Sequence, residues 1–485
     1  MLKGKITVFI VAVFVFASCE TFTGFEDFQE NPNESTVATP GLLLTNLQIS
    51  VFNSISIDAG LASRYLIEIN RPRDPQYYLW DRDGFGLYNS LRQTVKMKEE
   101  ATRLDNQNMF TIADLLQVHI FHELTRRFGD IPYFEALEAE DSNFQPVYDP
   151  QEEIYADMLS RLDDINSGFN VLQQNVQGDV VFNGDVLKWK KFGNSLKLRI
   201  LMSLSEIENT SIDYVAQFQQ IINNPDEYPV MESNDDSFLY EYSEATGNLY
   251  PFFNEAAFSS RFLGNTIVDM FVEKQDPRLF AVAEPDTREG SVAFDFNSYS
   301  GLVSSNTIEE NNLLRAEGIG SQLNFRYLND PEADPNQAFG YAELSFLIAE
   351  AAQRGWINEN PEIHYLNGIR ASMQFYNIDE GTIDTYLQSE FAQFDPSNGL
   401  ELILEQKYMA MLLNSGWEPF YDQRRTGIPV FDVGSGANLL NNGMVPKRWM
   451  YPEDENNTNQ ENLLEAIERQ FQGNDNINGD MWITS

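Results

Sequence analysis

The chain has 485 residues, and 74 acidic against 32 basic side chains give it a formal net charge of −42. Such a chain repels phosphate backbones, which excludes nucleic acid as a partner. A hydrophobic content of 42%, with 35 Phe, 21 Tyr and 6 Trp, excludes a disordered polymer.

The chain begins with the pattern of a secretory signal. Lys3 and Lys5 precede an apolar run over residues 6–17. This run is shorter than the about 20 residues that a membrane-spanning helix needs. A positive start followed by a short apolar run is typical of a cleaved signal peptide, which we predict over residues 1–18.

Cys19 is the only cysteine of the chain, and it follows directly on the predicted signal. The order Phe-Ala-Ser before it is similar to a bacterial lipobox, in which the cysteine is acylated. We therefore predict lipidation at Cys19 and a tether over 19–40, and internal disulfide bonds are excluded. Acyl chains then anchor the protein, because each buried CH₂ contributes about 0.8 kcal/mol. Residues 41–485 are predicted to form one domain.

Most of the remaining chain has helical rather than strand periodicity. Apolar side chains three and four residues apart predict helices after Pro40 and over 109–124, 154–165, 186–204, 341–351, 363–373 and 402–413. Asp149 is predicted to cap the second of the internal helices, with Glu152 reaching back. Segments 341–355 and 361–376 predict a helical hairpin, typical of tetratricopeptide-type packing.

Four long stretches lack this periodicity and are rich in aromatic and acidic residues. They cover residues 70–90, 225–262, 282–338 and 415–460. Long irregular segments in a compact domain are commonly functional. The sequence thus predicts a mostly all-α fold of stacked helical hairpins with long irregular loops.

Short motifs along the chain resemble the SusD/RagB family of nutrient-binding outer membrane lipoproteins. The strongest is the segment 184–199, with GD, KWKKF and NSLKLR. The others follow in the family's order: FGDIPY at 128–133, YDPQEEIY at 148–155, DPRL at 276–279, YAE at 341–343, RRTG at 424–427 and VPKR at 445–448. The resemblance extends over nearly the whole chain after the signal.

This resemblance implies a binding protein and not an enzyme. Family members are lipid-anchored at the outer membrane and face the cell exterior. There they capture oligosaccharides, or peptides in some members, and deliver them to a SusC-like TonB-dependent transporter. Neither a cofactor nor a metal is implied. Binding requires only a concave aromatic surface that stacks on sugar rings, with polar groups that fix the hydroxyls.

The family draws its aromatic surface from loops between helices, which correspond here to 71–90 and 290–327. In the first loop, three large aromatic residues lie within four positions and an arginine precedes them. Tyr and Trp offer rigid faces with a polar tip. We predict ligand binding by Arg73, Tyr77, Tyr78 and Trp80 from the first loop and by Tyr299 from the second.

Two other functions remain open at this stage. A peptide-binding protein would have the same fold, and a surface glycosidase would need two carboxylates at a set separation. Metal chemistry has little support. His119 and His122 share a helix face but lack further ligands, so we interpret them as packing residues. The segment 474–480 is similar to a calcium loop with the wrong register, and we interpret it as a polar turn.

Overall fold

The computed structural model describes residues 39–52, 55–138, 143–433 and 441–485. The predicted signal peptide, Cys19 and most of the tether lie outside these ranges, so they stay predictions. Within these ranges, no helix is long and apolar enough to span a membrane.

Helices dominate the described chain, in agreement with the predicted fold class. The first group comprises α1 (Pro40–Phe52), α2 (Ile57–Ala62), α3 (Leu87–Arg103), α4 (Gln107–Phe128), α5 (Gln151–Gly168), α6 (Val186–Met202) and α7 (Tyr214–Asn223). The middle group comprises α8 (Asn265–Glu273), α9 (Arg278–Val282), α10 (Ile308–Ala316) and α11 (Arg326–Asn329). The last group comprises α12 (Tyr341–Gln353), α13 (Pro361–Phe375), α14 (Glu380–Leu387), α15 (Gly399–Ala410), α16 (Glu418–Thr426), α17 (Glu455–Thr458) and α18 (Gln460–Phe471).

Strands are short and make two antiparallel pairs. Strand β1 (Leu66–Glu68) pairs with β3 (Arg261–Leu263), and β2 (Phe238–Tyr240) pairs with β4 (Asn336–Phe339). Each pair joins segments far apart in sequence, so the strands tie the long irregular loops to the helical body.

Neighbouring helices stack as hairpins, as the sequence predicts. Helix α3 packs on α4, and α4 on α5. In the second half, α12 packs on both α13 and α15. Helix α12 ends where Arg354 leads into Gly355, whose φ of +75° is the left-handed conformation that glycine adopts readily. The predicted hairpin of 341–355 and 361–376 is therefore confirmed.

Helix α6 is the centre of the body, and nearly every residue along it is buried. Trp189, Phe192 and Leu196 have no solvent exposure and belong to one large hydrophobic cluster. Full burial of such side chains contributes about 1.5–3 kcal/mol each. A second apolar cluster lies between α12, α13 and α15. These helices form a rigid base for the loops that carry the candidate site.

Buried ion pairs fix the helices relative to one another. Arg425 contacts Glu350 through two hydrogen bonds of 2.6 and 2.9 Å. Arg199 pairs with Glu343 and also donates to the carbonyl of Ala338. Planar guanidinium groups suit such two-point contacts.

Two sequence predictions are wrong in detail. Asp149 does not cap α5; its carboxylate instead accepts the N–H groups of Tyr133 and Phe134, both at 2.9 Å. Asp149 therefore holds the preceding turn, and Pro150 occupies the cap position. The stretches 282–338 and 415–460 also contain helices α10 and α16, because short helices give too few turns for a clear apolar period.

Candidate functional site

An open groove of about 440 Å³ lies between the α9 region and helix α14. Its aromatic wall comes from three places in the sequence: Phe280, Phe296 and Phe391. Its polar wall comes mainly from α14 and the turns beside it. We call it the aromatic groove; its polar lining residues are Gln275, Asp379, Thr382, Thr385 and Ser389.

Phe280 is the hub of the aromatic wall. Its ring centroid lies 4.6 Å from that of Phe296 and 5.5 Å from those of Phe294 and Tyr299. Offset and edge-to-face contacts of this kind favour the pairs by about 0.5–1.5 kcal/mol beyond area burial. The wall is thus held in place before any ligand arrives.

Phe294 does not line the groove itself; it contacts Phe280 at the edge of the aromatic wall, and 77% of its surface is exposed. Its backbone has φ of +65°, a left-handed conformation that bulky side chains rarely adopt. Such backbone strain costs about 1–3 kcal/mol and concentrates at ligand-binding sites. A large apolar ring kept in water at a strained position is the clearest mark of function in this region.

The loop that carries Phe294, residues 284–300, is held by Asp286. Its carboxylate accepts hydrogen bonds from Arg288, Ser291 and Ser300. Burial raises the pKa of Asp286, but these hydrogen bonds outweigh it and keep the pKa below its ordinary value. The charged acceptor therefore persists at neutral pH and fixes the loop around one point.

Helix α14 supplies the polar wall from its first turns. Asp379 caps the helix, accepting the backbone N–H of Thr382 at 3.0 Å and its hydroxyl at 2.7 Å. These hydrogen bonds lower the pKa of Asp379. Asp379 is the one carboxylate among the described residues that line the groove.

The aromatic rings predicted to form a binding surface in the segment 71–80 are not exposed. Tyr78 and Trp80 are buried, and their polar tips donate to the carbonyls of Ala62 and Arg448, both at 3.0 Å. Burial raises the pKa of Tyr78 to about 12. The expectation that these rings present faces to solvent is therefore wrong, because distant segments cover them.

The other predicted site residues have varied surroundings. Tyr77 is buried and reaches the carbonyl of Asn306 at 3.4 Å, while Tyr299 is buried beneath Phe280. Only Arg73 has an exposed side chain, and it pairs with Asp58 at 3.0 Å. Contact between these residues and a ligand stays a prediction, without the exposed faces that motivated it.

Sequence reasoning selected the second loop but not its decisive residues. Phe294 and Phe296 lie within 290–327, in the alternating run VAFDF at 292–296. Two phenylalanines two positions apart would have been a usable signal, although the backbone there is not extended: Phe294 has a left-handed φ and Phe296 begins a 3₁₀ turn. Phe280 and Phe391 carry no such signal in the sequence, because they come together only through the tertiary fold.

A second cavity, of about 240 Å³, is polar and lies beside α4 and α16. Its carboxylates are already paired: Arg126 contacts both Glu123 and Glu418. Burial opposes ionisation of Glu123, but the nearby charges of Arg126, His119 and Arg127 outweigh it and hold its pKa at about 2. Neither carboxylate can then act as the protonated acid that glycosidases need.

Metal binding finds no support within the described ranges, where no group of His, Cys, Asp and Glu side chains could hold an ion. His119 and His122 are buried between helices, and burial lowers the pKa of both, to about 4 for His119. They are packing residues, as the sequence indicates. Asp475 of the calcium-like segment is paired with Arg82 and Arg448.

A helical body that carries an aromatic groove on loops fixed by hydrogen bonds has the features of a ligand-binding protein. The sequence profile of the SusD-like_2 family, described as starch-binding and associating with the outer membrane, matches residues 32–452. The chain therefore belongs to the SusD-like family. No curated protein matches the chain significantly.

Solved structures agree with this assignment. A nutrient-binding outer membrane protein of Bacteroides vulgatus ATCC 8482 is 34% identical, with a TM-score of 0.84 over 92% of this chain and 100% of that one. A SusD homologue of Bacteroides fragilis NCTC 9343 is 31% identical, with a TM-score of 0.87 over 92% and 100%. A chitin-binding protein is 25% identical, with a TM-score of 0.75 over the same shares.

Proposed function

We propose that this protein captures an oligosaccharide in the aromatic groove and delivers it to a SusC-like TonB-dependent transporter. The observation that carries the proposal is Phe294, an exposed ring held by a strained backbone at the rim of a preformed aromatic wall. Membership of a nutrient-binding family supports capture as the function. The names of the relatives favour glycans as the ligand class.

The groove suits sugars in shape and chemistry. Phe280, Phe296 and Phe391 offer apolar faces on which the C–H faces of sugar rings can stack. Asp379 and Thr385 also line the groove, where their oxygens can meet ring hydroxyls. A volume of about 440 Å³ lies within the range of known small-ligand sites.

Calorimetric titration with neutral oligosaccharides tests capture. We expect saturable binding without cleavage, and at least about tenfold weaker binding in Phe294→Ala, since full burial of a Phe side chain contributes about 1.5–3 kcal/mol and about 1.4 kcal/mol is a factor of ten in affinity. Phe144→Ala is the matched control, because its ring is 73% exposed and lies far along the chain. Equal affinity in both variants would contradict the groove as the site.

A lipid anchor at Cys19 completes the proposal, because a capture protein must stay near its transporter. Cys19→Ser should move the protein from the membrane fraction to the soluble fraction, while the affinity for oligosaccharide stays unchanged. Retention of this variant in the membrane fraction would argue against lipidation.

Peptide binding and hydrolysis are the alternatives. A peptide site would favour a deep charged cavity, and the polar cavity beside α4 has its charges already paired. Hydrolysis would require a second carboxylate across the groove from Asp379, and the described lining residues supply none. We therefore propose binding without catalysis; cleaved sugars after incubation would overturn this.

A further inference from the structure

We infer that the aromatic groove selects uncharged, donor-rich oligosaccharides and rejects those that carry carboxylate or sulfate groups. This inference rests on the proposed function, since it names the ligand class of the same site. It follows from three properties of the groove: the direction of its hydrogen bonds, its charge and the character of its rings.

The threonine and serine hydroxyls of the polar wall already donate within the wall. Thr385 donates its hydroxyl to the carbonyl of Gly381 at 2.7 Å, and Ser389 donates to that of Tyr386 at 2.6 Å. Thr382 donates to Asp379. A hydroxyl that donates internally still has acceptor lone pairs to offer.

The amide of Gln275 donates one of its two N–H groups to the carbonyl of Val272 at 2.9 Å and keeps its oxygen as an acceptor beside the second N–H. The groove therefore presents mainly acceptors. Neutral sugars satisfy acceptors because each hydroxyl brings a donor. A carboxylate or sulfate brings acceptors only, so it would face these lone pairs without a hydrogen bond.

The charge of the groove acts in the same direction. Asp379 is exposed and stays ionised at neutral pH, because its hydrogen bonds to Thr382 lower its pKa. No basic side chain is found among the described lining residues. An anionic sugar would thus meet a fixed negative charge at short range.

Several cationic side chains on neighbouring segments are paired with carboxylates. Lys274 pairs with Glu405 at 2.7 Å, and Arg370, behind α14, pairs with Glu380 and Asp384 at 2.6 and 2.5 Å. Arg288 pairs with Asp286 in the Phe294 loop. Each would have to leave a carboxylate to serve an anionic ligand.

The rings repel anions as well. The face of a phenylalanine ring is the negative part of its quadrupole. Such faces attract cations and the polarised C–H groups of sugars, and they disfavour anions. Phe280, Phe296 and Phe391 therefore favour the same ligands as the polar wall.

Matched sugar pairs test the inference on the whole mature lipoprotein in detergent. Maltohexaose, cellohexaose and chitohexaose are titrated by calorimetry, and the tightest binder is compared with its C6-oxidised uronate form. At low ionic strength we expect at least about tenfold weaker binding of the uronate form, with a smaller difference in high salt.

Asp379→Asn separates charge from structure, because asparagine caps helices as well as aspartate does. We expect this variant to bind the uronate form more tightly than the native protein does. Asp213→Asn is the matched control: Asp213 caps α7 through the N–H of Ala216 and is exposed outside the groove. It should leave the discrimination unchanged.

The outcomes separate the two proposals. Equal or tighter binding of the uronate form, abolished by Phe294→Ala, would overturn the charge selection and leave the glycan site standing. Loss of discrimination in Asp213→Asn as well as Asp379→Asn would show that net charge acts, and not the groove, and would also overturn it. Binding of no sugar of either charge would overturn the proposed function itself.

Discussion

Two aromatic clusters of this protein use similar side chains in opposite ways. Around Trp80, the rings of Trp417, Phe420 and Trp449 lie 5.0–5.8 Å away, with Trp449 stacked on it. Around Phe280 the rings are as close to one another, but one side of the set faces an open groove. The first cluster is closed by its own partners, and the second has room for a further ring.

The difference lies in where the partners come from. Residues that cover Trp80 follow it by more than 300 positions, so a loop that looks open in sequence is closed in space. The rings around Phe280 come largely from the loop 284–300, which hydrogen bonds to Asp286 hold in place, and they leave one face of the cluster uncovered. Substitutions in the Trp80 cluster should therefore chiefly lower stability, and substitutions in the Phe280 cluster should chiefly lower ligand affinity.

The largest effect is expected from Trp80→Ala. Removing a buried indole that stacks on Trp449 should lower the free energy of unfolding by about 3–5 kcal/mol. Denaturant unfolding measures this, and Phe144→Ala, at an exposed ring, should stay within about 0.5 kcal/mol of the native protein. A change as small in Trp80→Ala would mean that the cluster is not a stability element.

Acid should lower the free energy of unfolding through the buried His119 and leave the sugar affinity of the groove unchanged. His119 has a pKa of about 4 in the folded protein because burial disfavours its charged form, against an ordinary value of 6.5. Protons then bind the unfolded chain first as the pH falls, so stability drops between about pH 6.5 and 4, by on the order of 3 kcal/mol.

Comparison of the native protein with His119→Gln isolates this contribution, because other titrating groups cancel in the difference. The variant should lose less stability between pH 7 and pH 4.5. Sugar affinity should stay constant down to pH 5, since Asp379 remains ionised there. Parallel stability profiles for the two proteins would contradict the assignment to His119.

Asp286→Ala should affect both properties moderately. It leaves Arg288, Ser291 and Ser300 without their shared acceptor, which should lower stability by about 1–3 kcal/mol. The Phe294 loop also loses its fixed position, so sugar affinity should fall. Retained affinity would show that Asp286 supports the fold alone and not the groove.

The smallest effect is expected from the backbone of Phe294. Phe294→Gly and Phe294→Ala both remove the ring, so both should lose affinity. Glycine adopts φ of +65° without strain. The free energy of unfolding of the glycine variant should therefore exceed that of the alanine variant by about 1 kcal/mol. The reverse order in denaturant unfolding would argue against strain at this residue.

Sequence patterns predicted the helical body well, because a stripe such as Trp189, Phe192 and Leu196 reports one buried face directly. They also directed attention to the loop containing Phe294. They could not show that Tyr78 and Trp80 are covered, since burial depends on Trp417 and Trp449 arriving from elsewhere. A cluster of aromatic residues in a loop therefore predicts that the loop is ordered, but it does not predict whether the rings are exposed.

Asp379 both begins helix α14 and supplies the charge of the groove wall. Natural variation at this position is thereby restricted to side chains that can also start a helix, chiefly Asn, Ser and Thr. All three are uncharged, so a substitution that keeps the helix cap can remove the negative charge but cannot replace it with a positive one here. Binding of acidic polysaccharides would require a basic side chain at another position of the groove, such as Thr385, which does not cap the helix.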